Sequence, residues 1–214
     1  MDEVDPEASM AVSGRAVSGR AVAVAVVVAV IAVLGASAPD VPTEGWGFGP
    51  TPDGMVMTDD RIDDDIDRLA MWIDDETEAA LRDAGFMRRE SRSWYAEKLG
   101  GLDVVVIAAA DPERLHAALD AASPAGPGRP YDLIPGALLR PRTGPLGDGA
   151  INHTYEVAYV DGPFLVQVAG WGYNMPTARV YTEQAISAQL EAMGSTIAYD
   201  PIERVPGIAT LPAT

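Results

Sequence analysis

Two histidines, His116 and His153, are the first places to look for acid–base chemistry at neutral pH in this chain. His153 falls in an alternating stretch, Ile151–Val160, on the positions shared with Tyr155, Val157 and Tyr159. That puts it on the inward face of a strand, near the open end of a hairpin. It could act there as the general base of a weakly marked envelope hydrolase, but no acid in the sequence identifies itself as its partner. The simpler reading is a satisfied, partly buried residue. His116 lies off the Leu115/Leu119 stripe and reads as a surface residue. The arginines form two groups, Arg88, Arg89 and Arg92, then Arg129, Arg140 and Arg142. Either group could receive an anion through its forked guanidinium donors, or simply balance acids at the surface. Gly170-Trp171-Gly172-Tyr173 ends a strand and offers Trp171 and Tyr173 as an aromatic rim for a ligand, the alternative being a plain strand end. The candidate binding residues are therefore His153, Trp171, Tyr173, Arg129, Arg140 and Arg142.

Other chemistry finds no footing. The chain has no cysteine, which excludes disulfides, thiolate metal sites, a cysteine nucleophile and a lipidated-cysteine anchor. No G-x-S-x-G or S-x-x-K frames a serine nucleophile. Gly45-Trp46-Gly47-Phe48-Gly49 alternates glycines but follows no strand, so it does not read as a phosphate cradle. The run Asp59–Asp67 is acidic yet lacks the alternating ligands and turn glycine of a calcium loop. The expectation is a non-enzymatic protein without a metal or cofactor. A net charge of -17 leaves nothing to neutralise a run of phosphates, so nucleic acid is excluded as a partner. The same charge opposes docking on an anionic membrane surface.

The residues that would position this chemistry begin after an apolar segment. Positions 21–38, AVAVAVVVAVIAVLGASA, carry no charge and have the minimum length of a span. Arg15 and Arg20 precede the segment and the next basic residue is Arg61, an asymmetry that places the N-terminus in the cytoplasm. Ala36-Ser37-Ala38 has the form of a signal-peptidase site, which would release a secreted protein. Pro39 directly after it disfavours the cut, so an uncleaved signal anchor is the favoured reading. The organisation expected is a cytoplasmic tail (1–20), a membrane anchor (21–38), a Pro/Gly linker (39–58), an external domain (59–200) and a C-terminal tail (201–214).

Within the domain, Ile62, Ile66, Leu69 and Ile73 recur at helical spacing and predict a helix over 60–84, with Asp75-x-x-Glu78 as a second start and Gly85 as the stop. Gly100-Gly101 predicts the turn of a first hairpin, setting Lys98 opposite Asp103, Trp94 opposite Ile107 and Ala96 opposite Val105. Asp111-Pro112 opens a helix. Ser123–Gly149 reads as a long connection in which only Leu133–Leu139 could hold an element. Asp161-Gly162 predicts a type I′ turn that places Tyr155, Val157, Val166 and Val168 on one buried face, with Gln167 facing water. A helix follows over 176–193. Two strand-strand-helix units suggest an α+β domain: an antiparallel sheet of two hairpins with helices on one face.

Arg15-x4-Arg20, the segment Ala21–Ala38 and the VDGPFLVQVAG hairpin with its following helix together resemble uncharacterised single-pass envelope proteins of GC-rich bacteria. The resemblance implies a small external α+β domain held at the membrane, with the lipid bilayer as one partner and an envelope protein or small ligand as another. It implies no active-site residues.

Overall fold

The computed structural model describes residues 46–69, 73–97, 100–121, 128–145 and 150–200. The chain divides into two units, Met1–Asp40 and Val41–Thr214, and every described residue belongs to the second. The expected tail 1–20, anchor 21–38 and C-terminal tail 201–214 lie outside the described residues. Among the described residues, no helix is long and apolar enough to cross a membrane.

The strands are β1 (Val56–Asp63), β2 (Phe86–Ala96), β3 (Gly100–Ala109), β4 (Arg129–Pro130), β5 (Leu138–Pro145), β6 (Ile151–Asp161) and β7 (Phe164–Gly172). The helices are α1 (Ile66–Leu69), α2 (Asp75–Asp83), α3 (Pro112–Ala121) and α4 (Met175–Met193). All seven strands form one antiparallel sheet in the order β1-β2-β3-β7-β6-β5-β4, with the helices packed on it, an α+β domain. Both faces of the sheet are covered, not one as expected. Even positions of β3 and β7 and odd positions of β6, such as Val106, Val166 and Val157, meet Ala185, Ile186 and Leu190 of α4. On the opposite face Ile107, Leu165 and Ala158 meet Leu81 of α2 and Leu115, Ala118 and Leu119 of α3. The second layer exists because Ile107, Ala109, Leu165 and Ala158 are apolar on what would otherwise be the wet side of the hairpins.

The second hairpin keeps its faces but shifts by two residues. Tyr159 pairs with Val166 and Val157 with Val168, and Asp161 pairs with Phe164. The turn is Gly162-Pro163, with Gly162 at φ 56. A type I′ turn needs positive φ at both central residues, and the proline ring holds Pro163 near −65°, so that turn is excluded. An even shift leaves side-chain parity intact, hence the buried face was assigned correctly. The first hairpin shifts by an odd number. Trp94 pairs with Leu102, Ala96 with Gly100 and Ser93 with Asp103, so Gly100 and Gly101 belong to β3 and do not form the turn.

The helix expected over 60–84 is replaced by edge strand β1, the short α1 and then α2. Two of the three acids on β1 find a cation on β2, Asp60 with Arg92 at 3.3 Å and Asp63 with Arg89 at 3.2 Å, while Asp64, just beyond the strand, meets Arg88 at 3.7 Å. These cross-strand pairs compete with the helical stripe, whose Ile62 remains 52% exposed. α2 starts one residue earlier than the predicted box, with the Asp74 carboxylate accepting from the Thr77 N–H at 2.7 Å. The long connection contains β5, hidden in the sequence by Pro141 and Pro145. Beyond Leu139 it is an edge strand, where proline is tolerated.

The stretch Trp46–Met55, at the end of the expected linker, is a strap laid across α4. Gln189 on α4 clamps it, donating to the Gly47 carbonyl at 2.6 Å and accepting from the Gly49 N–H at 3.3 Å. A Cβ at Gly47 would meet the Ala192 carbonyl at 2.8 Å and one at Gly49 the Ala188 Cβ at 2.9 Å. The alternate glycines thus let the backbone lie on the helix. Trp46 packs edge-on to Phe164 at 5.4 Å, Arg88 lies over Trp46 and Arg92 over Phe48.

Candidate functional site

α2 and α3 cover only one end of their sheet face. At the other end Ser93, Asp103, Thr154, Gln167, Ala169 and Trp171 remain half-exposed, and Tyr95 and Val56 are exposed. The floor is low because Gly101 and Ala169 carry little side chain. Trp171 is the Cα partner of Gly101, and its ring lies over that glycine where a Cβ would overlap it. Tyr95 stacks on Trp171, with ring centroids 5.8 Å apart and planes at 26°. Asp103, two residues along β3 from Gly101, is the cross-strand partner of Ser93 and shares its face with Trp171. Desolvation raises the Asp103 pKa above the ordinary aspartate range. The donor groups of Ser93 and Trp171 oppose the rise, and the like charge of Asp59 adds to it. Among the described residues Asp103 has no cationic partner. The result is a flat aromatic pair fixed beside an unpaired acid.

Trp171 is the one residue of the expected candidate set that takes part. Tyr173 is 56% exposed just beyond the end of β7. His153 pairs across the strands with Thr143 and Gly172, and its Nδ1 lies 3.1 Å from the Thr143 hydroxyl, so its nearest polar partner is a hydroxyl and not a carboxylate. The three connection arginines separate. Arg129, on β4, is exposed and pairs with Leu139. Arg140 and Arg142 both engage Glu156 on β6, Arg140 at 3.1 Å. Arg140 is buried and also donates to the Leu119 carbonyl at 2.6 Å, close to the C-terminus of α3, where a cation is favoured by the helix dipole. Arg140 fastens α3 to the sheet, and both arginines are committed to Glu156 and not free to receive an anion. Arg88, Arg89 and Arg92 are likewise committed to acids of β1 and of the turn after it.

Sequence reasoning missed Asp103, Ser93 and Tyr95, because the register assigned to the first hairpin put Lys98 and not Ser93 against Asp103. A usable signal was present: two glycines inside an apolar strand run, and a Trp flanked by glycines at the end of another strand, the pattern of a ring lying over a bare backbone.

Elsewhere, Tyr131 and Tyr199 share a hydrogen bond at 3.2 Å on the α4 face, with Arg179 bonded to Glu183 at 2.7 Å and lying 6.0 Å from the Tyr155 ring. Burial pushes the Tyr131 hydroxyl up to about 12. The nearby cavity, about 330 Å³ between Leu190, Glu191, Ser195, Ile197 and Tyr199, is shallow. Among the described residues no group of three or more His, Asp or Glu side chains converges as a metal site would require. No protein-family model matches the chain, and comparison with curated proteins and with solved structures returns no match.

Proposed function

We propose that this is a membrane-anchored, extracytoplasmic domain of non-enzymatic type that binds a partner at the cell envelope through the uncovered end of its sheet. The observation that carries the reading is the Tyr95–Trp171 stack, held over Gly101 and beside Asp103 at the uncovered end of a sheet face. A rigid, half-exposed aromatic pair with polar neighbours is the kind of surface that anchors recognition. The hydrolase alternative loses support, since His153 is hydrogen-bonded to Thr143 and lies on the other side of the sheet. The anchor rests on the uncharged segment 21–38 and the Arg15/Arg20 asymmetry. Two measurements test the reading together. Protease added to intact spheroplasts should digest the domain and leave an N-terminal tag protected. A photo-crosslinking residue at position 95 should capture a discrete partner in intact cells, and Trp171→Ala should abolish that capture. Full protection of the domain, or capture that ignores Trp171, overturns it.

A further inference from the structure

Resting on that binding reading, we propose that the surface takes a cationic side chain, an arginine or lysine of a partner polypeptide. Its apolar stem would lie against Trp171 and Tyr95 and its charge on the Asp103 carboxylate. Three observations converge. The aromatic pair presents a half-exposed indole, the ring that holds cations best, and continues to the sheet edge through exposed Val56, the pair partner of Tyr95. Asp103 lies on the same face as that indole, two residues along β3 from the Gly101 that the ring covers, so the strand register holds carboxylate and ring near each other before any partner arrives. The charge nearby is unbalanced in one sense. Glu156 is taken by Arg140 and Arg142, and Arg61 pairs with Asp63, whereas among the described residues the charge acting on Asp103 is that of Asp59, a like charge. An anion would meet two acids here, and a neutral sugar ring would leave the Asp103 charge uncompensated. A guanidinium or ammonium removes that penalty and gains a charge-assisted hydrogen bond. The excess of acids over the whole chain adds steering of the same sign.

Among the described residues, the titratable or charged groups on the face of Asp103 are Asp59 and Arg61 on β1, Arg61 held by Asp63 at 3.1 Å, with Glu156, Arg140 and Arg142 further across the sheet. Binding should therefore weaken as pH falls through the raised Asp103 pKa, because the protonated acid offers no charge. The probe is N-acetyl-arginine amide, with N-acetyl-citrulline amide as its uncharged isostere, titrated into the full chain in lipid nanodiscs. The readout is the Trp171 indole N–H resonance, assigned by its loss in Trp171→Phe. The arginine probe should shift that resonance and bind about tenfold or more tightly than citrulline. Asp103→Asn should raise its Kd by about tenfold, with a urea midpoint no lower than wild type to show that the fold is intact. Equal binding of citrulline, or full binding by Asp103→Asn, overturns the proposal. A shift with N-acetylglucosamine and none with arginine sinks the cation while leaving the surface a binding site. No shift with any probe, together with no Trp171-dependent crosslink at position 95, sinks both.

Discussion

Asp103 carries a cost that shows in the absence of any ligand. Its carboxylate is half-buried without a counter-ion among the described residues, and its pKa is raised by burial first and by Asp59 after it. A folded-state pKa above the unfolded value means the native state holds its proton more tightly. The stability contribution is then fully present below about 4 and is lost as pH rises through the raised value. Asp103→Asn should accordingly raise the urea midpoint at pH 7, by under ~1 kcal/mol because the site is partly solvated. The difference should close as pH is lowered toward about 4. A drop in stability at pH 7 would mean that the donor groups of Ser93 and Trp171 need a carboxylate and that desolvation is minor. At this scale the sequence was legible for Trp171 and silent for Asp103. The type of a residue is written in the sequence, but its neighbours depend on a strand register, and an odd error in register moves a side chain to the other face.

At the scale of elements, the strap and α4 depend on each other. Removing the Gln189 amide leaves the Gly47 carbonyl and the Gly49 N–H without their partner at a half-buried contact. Gln189→Ala should cost about 1–3 kcal/mol in a urea melt. Gly49→Ala should cost a similar amount by lifting the strap off Ala188, about 1–3 kcal/mol for forced overpacking. If both variants melt like wild type, the strap is not a structural part of the domain. Helix ends were the most legible elements. The α3 start at Asp111-Pro112 is as read, with the Asp111 carboxylate accepting from the Glu113 and Arg114 N–H groups. Gly194 at φ 64 stops α4. Capping is local, so adjacent residues determine it. Strands β1 and β5 were illegible because both lie near a sheet edge. Their charges and prolines break the alternation that marks a strand, and only the partner strand explains them.

At the scale of the molecule, the domain begins earlier than composition suggests. Four prolines and four glycines between 39 and 58 read as a linker, yet Trp46, Phe48 and Met55 pack on the α4-side core. A chain starting at Trp46 should unfold in one cooperative transition, whereas one starting at Thr58 should melt several degrees lower and bind a hydrophobic dye, since Phe164 and Arg92 lose their cover. Identical melts would place the strap outside the cooperative unit. The antiparallel α+β class was legible from alternation and turn residues. The second helical layer was not, because Ile107 and Leu165 declare a covered face only once β3 and β7 are seen side by side.

The Gln189 clamp also sets an order of events. Its two hydrogen bonds join residues 142 and 140 positions apart in sequence. At a synthesis rate of about 5–20 residues per second, Trp46 and Phe48 emerge on the order of ten seconds before the helix that receives them. Arg88 and Arg92 reach these rings earlier, but the backbone of the strap finds its Gln189 partner only when α4 is complete. During that interval the nascent chain presents an unsatisfied apolar stretch, and a holding factor that keeps it from premature association would act at the beginning of the domain and let go only when its end is complete.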